Sequence, residues 1–515
     1  MDLPTVDRTS ELPLYRQLHT ALSDQIRLGK RPPGSRLPSV RGLARTLSVS
    51  PITVVQAYDA LMADGLVHSR IGRGTFVGGP TLGQATDGSV SEPDDQPLPP
   101  SGRTAEDTHP QVAVHLRAPR ISAMQGLLKP GRRPGMISLA AGTPDPALFP
   151  TKTIGRLWSR TIATEDPRFL QYGTPQGDHH LRSWIADRCR AMGVGADPGQ
   201  ILVTSGSQQA IDLVARTFLG PGDHVLVESP TFITALDIFE ERGARLVGIP
   251  MDNSGARIDV VEALADRYRP RLLYTIPTAH NPTGITLIDE RRRRLAALAR
   301  SRNFIVLEDD ICSEFAYDGE APNPVKTYDI SGHIIFVMSF SKTVIPGLRV
   351  GCVVADSAIL ARLMEAKSLA DRFTSPLIQR TLWRYLTSHY YERDLEKARD
   401  TYRRRRDGVL RTLREVMPEG VTWSRPDAGF NLWIRLPDRV SATEAFEEGL
   451  KEGVSCIPGD LCLAHVPPPS GLRISFADNH EDVTAEGIRR LGRAISRLLS
   501  TGRREQPESE FVTTI

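Results

Sequence analysis

The chain has 515 residues, of which 40% are hydrophobic and 24% are charged, with 64 Lys and Arg against 61 Asp and Glu. This length predicts two or three domains, and this composition excludes a largely disordered or fibrous chain. No apolar run approaches the roughly 18–20 residues that span a bilayer, and no signal peptide is visible, so we expect a cytoplasmic protein without a membrane partner. The five cysteines lack CxxC spacing, which excludes a disulfide scaffold and argues against a metal site.

Positive charge is concentrated at the N-terminal end of the chain. Residues 1–78 hold ten basic and six acidic residues, a net charge of 10 − 6 = +4, whereas the rest holds 54 basic and 55 acidic residues, a net charge of −1. A basic module on a nearly neutral body suggests a polyanionic partner for this end alone. An ordinary solvated basic surface would give the same count.

The pattern of this N-terminal segment predicts three helices and a hairpin. Apolar residues recur at helical spacing from Leu14 to Ile26, and further helices are predicted over Val40–Leu47 and from Pro51 to about Asp64, with Ser50 as N-cap. The runs LVHS and GTFV predict two short strands. Together these elements predict a winged helix-turn-helix whose third helix enters the major groove of DNA. The alternative is a small helical docking domain without a nucleic-acid partner.

The stretch RLPSVRGLARTLSVSPITVVQAYDALMADGLVHSRIGRGTFV resembles the GntR family of bacterial repressors. The resemblance implies a double-stranded DNA operator as partner and DNA contacts from Arg41, Ser50, Thr53 and Gly72. Recognition helices of that family often carry an Arg after the Ser, whereas Pro51-Ile52 stand here. Readout of bases would then depend more on Thr53, Gln56 and apolar contact with thymine methyl groups.

A change of composition predicts the domain boundaries. From Gly78 to about Gln111 the chain is rich in Gly, Pro, Ser, Thr and Asp and has no aromatic residue, which is typical of a linker. We therefore predict a winged helix-turn-helix over 1–78, a flexible linker over 79–117, a large domain over 118–500 and a polar tail over 501–515.

Short apolar runs alternate with helix-length segments throughout the large domain. The predicted strands are Ile201–Thr204, His224–Glu228, Arg245–Ile249, Leu272–Ile276, Phe304–Glu308, Ile334–Ser339 and Val350–Val354. This alternation predicts an α/β fold with a mainly parallel sheet that is covered on both faces. In such sheets ligands bind beyond the carboxyl ends of the strands.

Polar clusters follow several of these strands and fit pyridoxal 5′-phosphate (PLP). In the segment SFSKTVIPGLRVG, Lys342 can form a Schiff base with the PLP aldehyde. Asp309, in the EDD motif, can hold the pyridine nitrogen protonated. Asn281, in HNPTG, can bond the ring hydroxyl, and Phe232 can stack on the ring. The predicted phosphate donors are Gly206, Ser207 and Gln208 at a helix start, with Ser339, Ser341 and Arg349.

These motifs, with AGTPDPALFP, YGTPQG and LRISFA, resemble the fold-type I aspartate aminotransferase superfamily from about Ala140 to Phe476. The resemblance implies a homodimer in which Tyr172 contacts the phosphate of the neighbouring subunit. It also implies that Arg473 binds a substrate carboxylate.

One position departs from the family pattern. The regulator branch commonly reads EDDY where this chain reads EDDI, so Ile311 has no hydroxyl for the ring oxygen of PLP and Asn281 is the candidate partner. We expect the missing hydroxyl at this position to alter the pKa of the Schiff base and to weaken turnover. A neutral packing substitution with compensation elsewhere is the other interpretation.

The order of the modules resembles the MocR/GabR subfamily of regulators across nearly the whole chain. It implies a PLP-dependent transcriptional regulator in which an amine or amino acid displaces Lys342, and the resulting external aldimine changes the conformation of the large domain and so repositions two DNA-binding modules. Two alternatives stay open. One is an active aminotransferase whose N-terminal module only localises it, and the other is a plain repressor with a vestigial large domain.

Overall fold

The computed structural model describes residues 12, 14–28, 30–32, 35–47, 49–63, 66–70, 74–77, 119–128, 135–464 and 470–501. The chain divides into two compact units, residues 1–108 and 109–515. The predicted linker 79–117 and all but the first residue of the predicted tail 501–515 lie outside the described residues. Among the residues described, no helix is long and apolar enough to cross a membrane.

The described part of the first unit contains three helices and one antiparallel hairpin. The elements are α1 (Leu14–Arg27), α2 (Val40–Leu47), α3 (Pro51–Ala63), β1 (Val67–Arg70) and β2 (Gly74–Val77). Leu18, Leu22, Val54 and Leu61 have no exposed surface and form the core between the helices. The predicted winged helix-turn-helix is confirmed, although its first strand begins at Val67, one residue later than the run LVHS indicated.

The second unit contains the remaining elements. Its helices are α4 (Pro119–Leu128), α5 (Thr151–Thr164), α6 (His179–Ala191), α7 (Ser207–Phe218), α8 (Ile233–Glu241), α9 (Ile258–Tyr268), α10 (Asp289–Arg302), α11 (Ser357–Ala370), α12 (Pro376–Leu386), α13 (His389–Val416), α14 (Ala442–Lys451) and α15 (Glu481–Thr501). Its strands are β3 (Ile137–Ser138), β4 (Ile201–Thr204), β5 (His224–Ser229), β6 (Arg245–Asp252), β7 (Gly255–Ala256), β8 (Leu272–Thr275), β9 (Ile305–Asp310), β10 (Ile334–Ser339), β11 (Gly351–Val354), β12 (Thr422–Trp423), β13 (Asn431–Arg435), β14 (Val454–Ser455), β15 (Ile457–Pro458) and β16 (Gly471–Ser475).

The central sheet of this unit has eight strands among the described residues, in the order β4-β11-β10-β9-β8-β5-β6-β7. The neighbours from β10 to β6 are parallel, whereas β11 is antiparallel to both β10 and β4. Parallel neighbours need a crossover of a dozen or more residues, usually a helix, and the segment 340–350 is too short for one. The chain therefore turns back directly after β10, and the predicted α/β fold with a mainly parallel sheet is confirmed.

Both faces of the sheet are covered. Along β10, Ile335 and Val337 pack into the apolar cluster on one face, whereas Phe336 and Met338 pack into the cluster on the other. This accounts for the unbroken apolar run, because a strand that is buried on both faces has no solvent-facing side. A second, four-stranded sheet, β12-β13-β16-β15, lies in the C-terminal part of the unit.

Five of the seven predicted strands differ from the observed ones by one to three residues at an end, and one of these differences concerns the site. The strand expected over Phe304–Glu308 runs instead over Ile305–Asp310, so Asp309 and Asp310 belong to β9 rather than to the loop after it. The carboxylates stay inside the strand because the neighbouring strands and loops supply their hydrogen-bond donors. Glu308, for example, accepts bonds from the backbone N–H groups of Val325 and Lys326 at 2.7 and 2.8 Å.

The helix α4 is fixed to the unit by ionic contacts. The Arg120 guanidinium donates to Glu240 Oε1 at 3.0 Å and to Asp237 Oδ1 at 3.1 Å, and the Ile121 N–H donates to Asp237 Oδ2 at 2.8 Å. Asp237 is buried and lies on α8. The first helix after the predicted linker is therefore anchored to α8.

We expect Gly284→Ala to destabilise the protein more than Gly222→Ala. Both glycines have positive φ, 71° and 88°, so each alanine incurs the cost of a left-handed backbone, about 1 kcal/mol. A Cβ at 284 would also collide with the carbonyl oxygen of Asn431, whereas a Cβ at 222 meets no atom within 4 Å. Overpacking adds about 1–3 kcal/mol, so the thermal midpoint of the full-length protein should fall further for Gly284→Ala. Equal shifts for the two variants would contradict this packing.

Candidate functional site

Lys342 lies three residues after β10, in the segment that turns the chain back into β11. Its Nζ donates a hydrogen bond to the carbonyl oxygen of Gly142 at 2.6 Å. Burial lowers the pKa of Lys342, and the nearby guanidinium groups of Arg473 and Arg349 lower it further. More of the amine is therefore neutral at a given pH than in a solvated lysine, as a nucleophilic amine requires.

Asp309 is fully buried on β9, the strand next to β10. The hydroxyl of Tyr274 donates to its Oδ2 at 2.8 Å, whereas Oδ1 has no hydrogen-bond partner among the described residues. Burial raises the pKa of Asp309 to about 7, against the lowering effect of the Tyr274 bond. A buried carboxylate with one engaged oxygen and one unengaged oxygen is an acceptor for a charged N–H donor.

Most of the predicted phosphate donors are brought together at the start of α7. Gly206 precedes the helix with φ +92°, and a Cβ there would lie 2.7 Å from Arg349 Nη2, so glycine is required. Arg349 itself adopts a left-handed φ of 51° and donates to the Ser205 carbonyl at 3.2 Å and to Ser341 Oγ at 3.4 Å. The Ser341 N–H donates to Ser339 Oγ at 3.3 Å. Backbone donors, a helix N-terminus and a guanidinium thus converge on one point, and we call the residues around it, Ser205–Ser207 with Ser341 and Arg349, the phosphate cradle.

Ser207 and Gln208 occupy the first turn of α7, where Ser207 is half-buried and Gln208 is exposed. Ser207 is part of the cradle and Gln208 lies beside it. The next residue, Gln209, makes a hydrogen bond with the backbone of the cradle. Its Oε1 accepts the Ser205 N–H at 2.7 Å.

Arg473 and Asn281 meet, although they are far apart in sequence. Arg473 lies on β16 with 8% of its surface exposed, and its Nη1 donates to Asn281 Oδ1 at 3.3 Å. Its Nη2 donates to the carbonyl of Ala140. Because Oδ1 of Asn281 accepts this bond, the amide Nδ2 is left to act as donor, which is the role predicted toward a ring oxygen.

Three further residues singled out in the sequence take part in apolar or aromatic packing. Phe232 precedes α8, is half-buried and packs against the core on one face of the sheet. Tyr172 is 78% exposed, and its ring makes an edge-to-face contact with Phe373 at 5.8 Å between centroids. Ile311 is half-buried in a small apolar cluster that includes Cys312 and Ala428.

The predicted DNA contacts lie in the first unit. Arg41 is on α2, Thr53 and Gln56 are on α3, and Gly72 lies outside the described residues. Ser50 is exposed directly before α3, and its carbonyl accepts the Thr53 N–H at 3.0 Å.

Sequence reasoning missed several residues that hold the site. The sequence analysis treats Tyr274 only as part of a predicted strand. A tyrosine hydroxyl in a buried apolar run needs a hydrogen-bond partner, so Tyr274 itself indicates a polar group nearby. Gln209 directly follows the predicted phosphate donor Gln208 and was not itself predicted to have a role. Lys367 lies on α11 and Asp371 follows it. The tertiary fold brings them next to Gln209, and no local sequence pattern identifies them.

A separate cavity of about 620 Å³ opens between β6 and the four-stranded sheet. Its walls include Met251, Trp423, Trp433 and Arg435. None of the predicted cofactor residues lines it, so this cavity is distinct from the cluster around Lys342.

Comparison with known proteins identifies both units. Residues 14–77 match the family of bacterial regulatory proteins of the gntR type, and residues 134–491 match aminotransferase class I and II. The chain is 32% identical to the uncharacterized HTH-type transcriptional regulator YisV of Bacillus subtilis, over 88% of this chain and 90% of that protein. It is 28% identical to the probable rhizopine catabolism regulatory protein MocR of Rhizobium meliloti, over 96% and 97% of the two chains.

A solved structure extends the comparison to the large unit. The crystal structure of the kynurenine aminotransferase of Pyrococcus horikoshii, in complex with PMP, superposes with a TM-score of 0.72. Sequence identity is 35%, and the match covers 76% of this chain and 98% of that one.

The cofactor of this domain is pyridoxal 5′-phosphate, as predicted, and the residues present fit it. The unengaged Oδ1 of Asp309 can accept a hydrogen bond from a pyridinium N–H, and the cradle before α7 offers hydrogen-bond donors to a phosphate. When bound, PLP supplies an aldehyde that condenses with primary amines and a ring that takes up electrons.

We expect Asp309→Asn to stabilise the apoprotein more at pH 8 than at pH 5. Burial raises the pKa of Asp309 to about 7, against about 4 in an unfolded chain. The folded protein therefore holds a proton that the unfolded chain releases, and stability falls as the pH rises through this window. Asn does not ionise, so the gain in thermal midpoint should grow with pH, while affinity for PLP falls.

Asp266→Asn is the matched control. Asp266 is exposed, and its hydrogen bond with Arg302 lowers its pKa further below the tested range. The effect of this variant on the thermal midpoint should be the same at pH 5 and pH 8. A pH-independent effect of Asp309→Asn would contradict the burial of its charge.

Proposed function

This chain belongs to the MocR type of GntR-family transcriptional regulators, in which a helix-turn-helix unit precedes an aminotransferase class I and II domain, and on this basis we propose that it senses an amine or amino acid at Lys342 and alters its binding to an operator accordingly. The observation that carries the proposal is a half-buried Lys342 that lies near the buried Arg473 and directly after the strand next to the buried Asp309, in a chain that also contains a DNA-binding fold.

The proposed roles combine the geometry of the described residues with the family resemblance. Lys342 holds the cofactor covalently, Asp309 Oδ1 accepts a bond from the ring nitrogen, Asn281 donates to the ring oxygen and Phe232 covers the ring face. The phosphate is held by Gly206, Ser207, Gln208, Ser339, Ser341 and Arg349. In the proposed homodimer, the exposed Tyr172 reaches the phosphate of the second copy.

Arg473 gives the site its selectivity in this proposal. The guanidinium is buried, and its Nε has no hydrogen-bond partner among the described residues. A carboxylate accepts bidentate bonds from such a group, so the preferred effector carries both a primary amine and a carboxylate. Entry of that ligand would exchange the present contacts of Lys342 with Gly142 and of Arg473 with Ala140, which changes the packing of the segment 140–142.

The residues assigned to the proposed operator contact are Arg41, Ser50, Thr53, Gln56 and Gly72. The exposed position of Ser50 before α3 and the half-buried Thr53 in its first turn support this assignment. The N-terminal end of a recognition helix is where base contacts are made in this class of DNA-binding domain.

An active aminotransferase is the second candidate. The same Lys342, Asp309 and Arg473 set is what an amino-acid aminotransferase requires, and the large unit superposes on one. The two candidates differ in the fate of the bound amino acid. An aminotransferase releases it as a keto acid and keeps its amino group on the cofactor, whereas a sensor does not.

We expect Lys342→Ala to abolish the response of DNA binding to the effector. An operator is first selected from a random DNA pool with the wild-type protein, and amines and amino acids are screened by the visible absorbance of the loaded protein. The active compound should change the operator Kd of the wild type by about 5- to 150-fold and leave that of Lys342→Ala unchanged.

Lys152→Ala, which removes an exposed lysine on α5, is the control and should respond as the wild type does. An equal response of Lys342→Ala and wild type would refute the coupling. Complete spectral conversion by the amine, reversed by a keto acid at ordinary enzymatic rates, would favour the aminotransferase.

A further inference from the structure

A fully buried lysine lies behind the phosphate cradle. Lys367, on α11, has no exposed surface, and its Nζ donates to Asp371 Oδ1 at 2.7 Å, to Gln209 Oε1 at 3.2 Å and to Thr374 Oγ1 at 3.2 Å. Burying an ammonium is costly unless its donors are satisfied, and here every contact is to an acceptor. The arrangement therefore joins a fully buried ammonium to Asp371, whose side chain lies at the surface and is 29% exposed.

The network converges on one residue of the cradle. Ser205 donates through its Oγ to Asp371 Oδ2 at 3.2 Å and through its N–H to Gln209 Oε1 at 2.7 Å, and its carbonyl accepts from Arg349 at 3.2 Å. Gln209 Nε2 also donates to Asp371 Oδ2 at 2.7 Å. All three polar groups of Ser205 are thus engaged. Because Ser205 precedes Gly206, its orientation sets the direction of the N–H groups that open α7.

The charges of the network are balanced. Burial opposes ionisation of Asp371, but its bonds with Lys367 and Gln209 hold its pKa below the ordinary value. Asp371 is therefore a carboxylate within hydrogen-bond distance of Ser205. Without Lys367, this negative charge would stand uncompensated beside a phosphate dianion, and like charges at short range repel.

We propose that Lys367, Asp371 and Gln209 are positioning residues that hold Ser205 and the first turn of α7 in the shape that binds the phosphate of PLP. None of them needs to touch the cofactor. The inference rests on the proposed placement of the phosphate at the start of α7, and it concerns the phosphate alone, not the aldehyde or the ring.

The test compares two ligands that differ by that phosphate. Full-length apoprotein is titrated with PLP and with pyridoxal, which has the same ring and aldehyde, and binding is followed by absorbance. Lys367→Met should weaken PLP binding by about 10- to 100-fold, the effect of losing hydrogen bonds to a charged group, and should change pyridoxal binding less than about twofold. Inorganic phosphate should also lose its ability to compete with PLP.

Two further variants separate positioning from general damage. Arg362→Met removes an exposed ion pair on the same helix, in which Arg362 Nη1 lies 3.0 Å from Glu365 Oε2, and should leave both affinities unchanged. The double variant Lys367→Met/Asp371→Asn has no uncompensated carboxylate and should regain most of the lost PLP affinity.

If Lys367→Met does not fold, Ser205→Ala replaces it, because it removes only the hydroxyl bond to Asp371 and should weaken PLP by about 3- to 10-fold without affecting pyridoxal. Equal losses for PLP and pyridoxal, or no loss in either variant, would overturn the proposal. The readout contains no DNA, so failure here is distinguishable from failure of the proposed regulatory function.

Discussion

The hydrogen bond from the Tyr274 hydroxyl to Asp309 Oδ2 joins two neighbouring strands, β8 and β9, and allows a carboxylate to stand inside the buried sheet. A buried carboxylate without a donor costs several kcal/mol. Because Tyr274 engages one oxygen and orients the group, the other oxygen is left as a fixed acceptor at the carboxyl edge of the sheet. The position of Lys342, one strand away, follows from the same sheet register, in which Asp309 pairs with Val337 of β10.

Lys342 and Arg473 both donate hydrogen bonds to the short segment 140–142, although they lie in different parts of the fold. Lys342 donates to Gly142, and Arg473 donates to Ala140. Ala140 packs with Ile233 of α8 and with Met124 of α4. The groups proposed to recognise an amine and a carboxylate are thus connected to the first helix after the predicted linker through one layer of packed side chains. This contact path gives the proposed coupling a physical route.

Much of this site could be predicted from sequence, because a parallel sheet collects the residues that follow its strands. Lys342 and Asn281 follow strand patterns that were correctly placed, and the structure brings both to the same edge. Asp309 was identified, but its place inside β9 was not, because the donor that permits it, Tyr274, lies on another strand.

The parts that sequence could not reveal are contacts between distant segments. Arg473 meets Asn281 across 192 residues, and Lys367 meets Gln209 across 158. No periodicity or motif encodes such pairs, since each partner lies in an ordinary local pattern. Lys367 in particular follows helical spacing and would be taken for a solvated lysine.

The turn after α11 has two sides. Asp371 faces the phosphate cradle of its own chain, whereas the next two residues, Arg372 and Phe373, contact the exposed ring of Tyr172. In the proposed homodimer that ring reaches the cofactor of the other copy, so ordering of this turn by one PLP molecule also orders a contact for the second. Loading of the two sites would then be cooperative, since the entropy of ordering is lost largely in the first step. Such a dimer would fill over a narrower range of cofactor concentration than two independent sites, with a Hill coefficient between one and two.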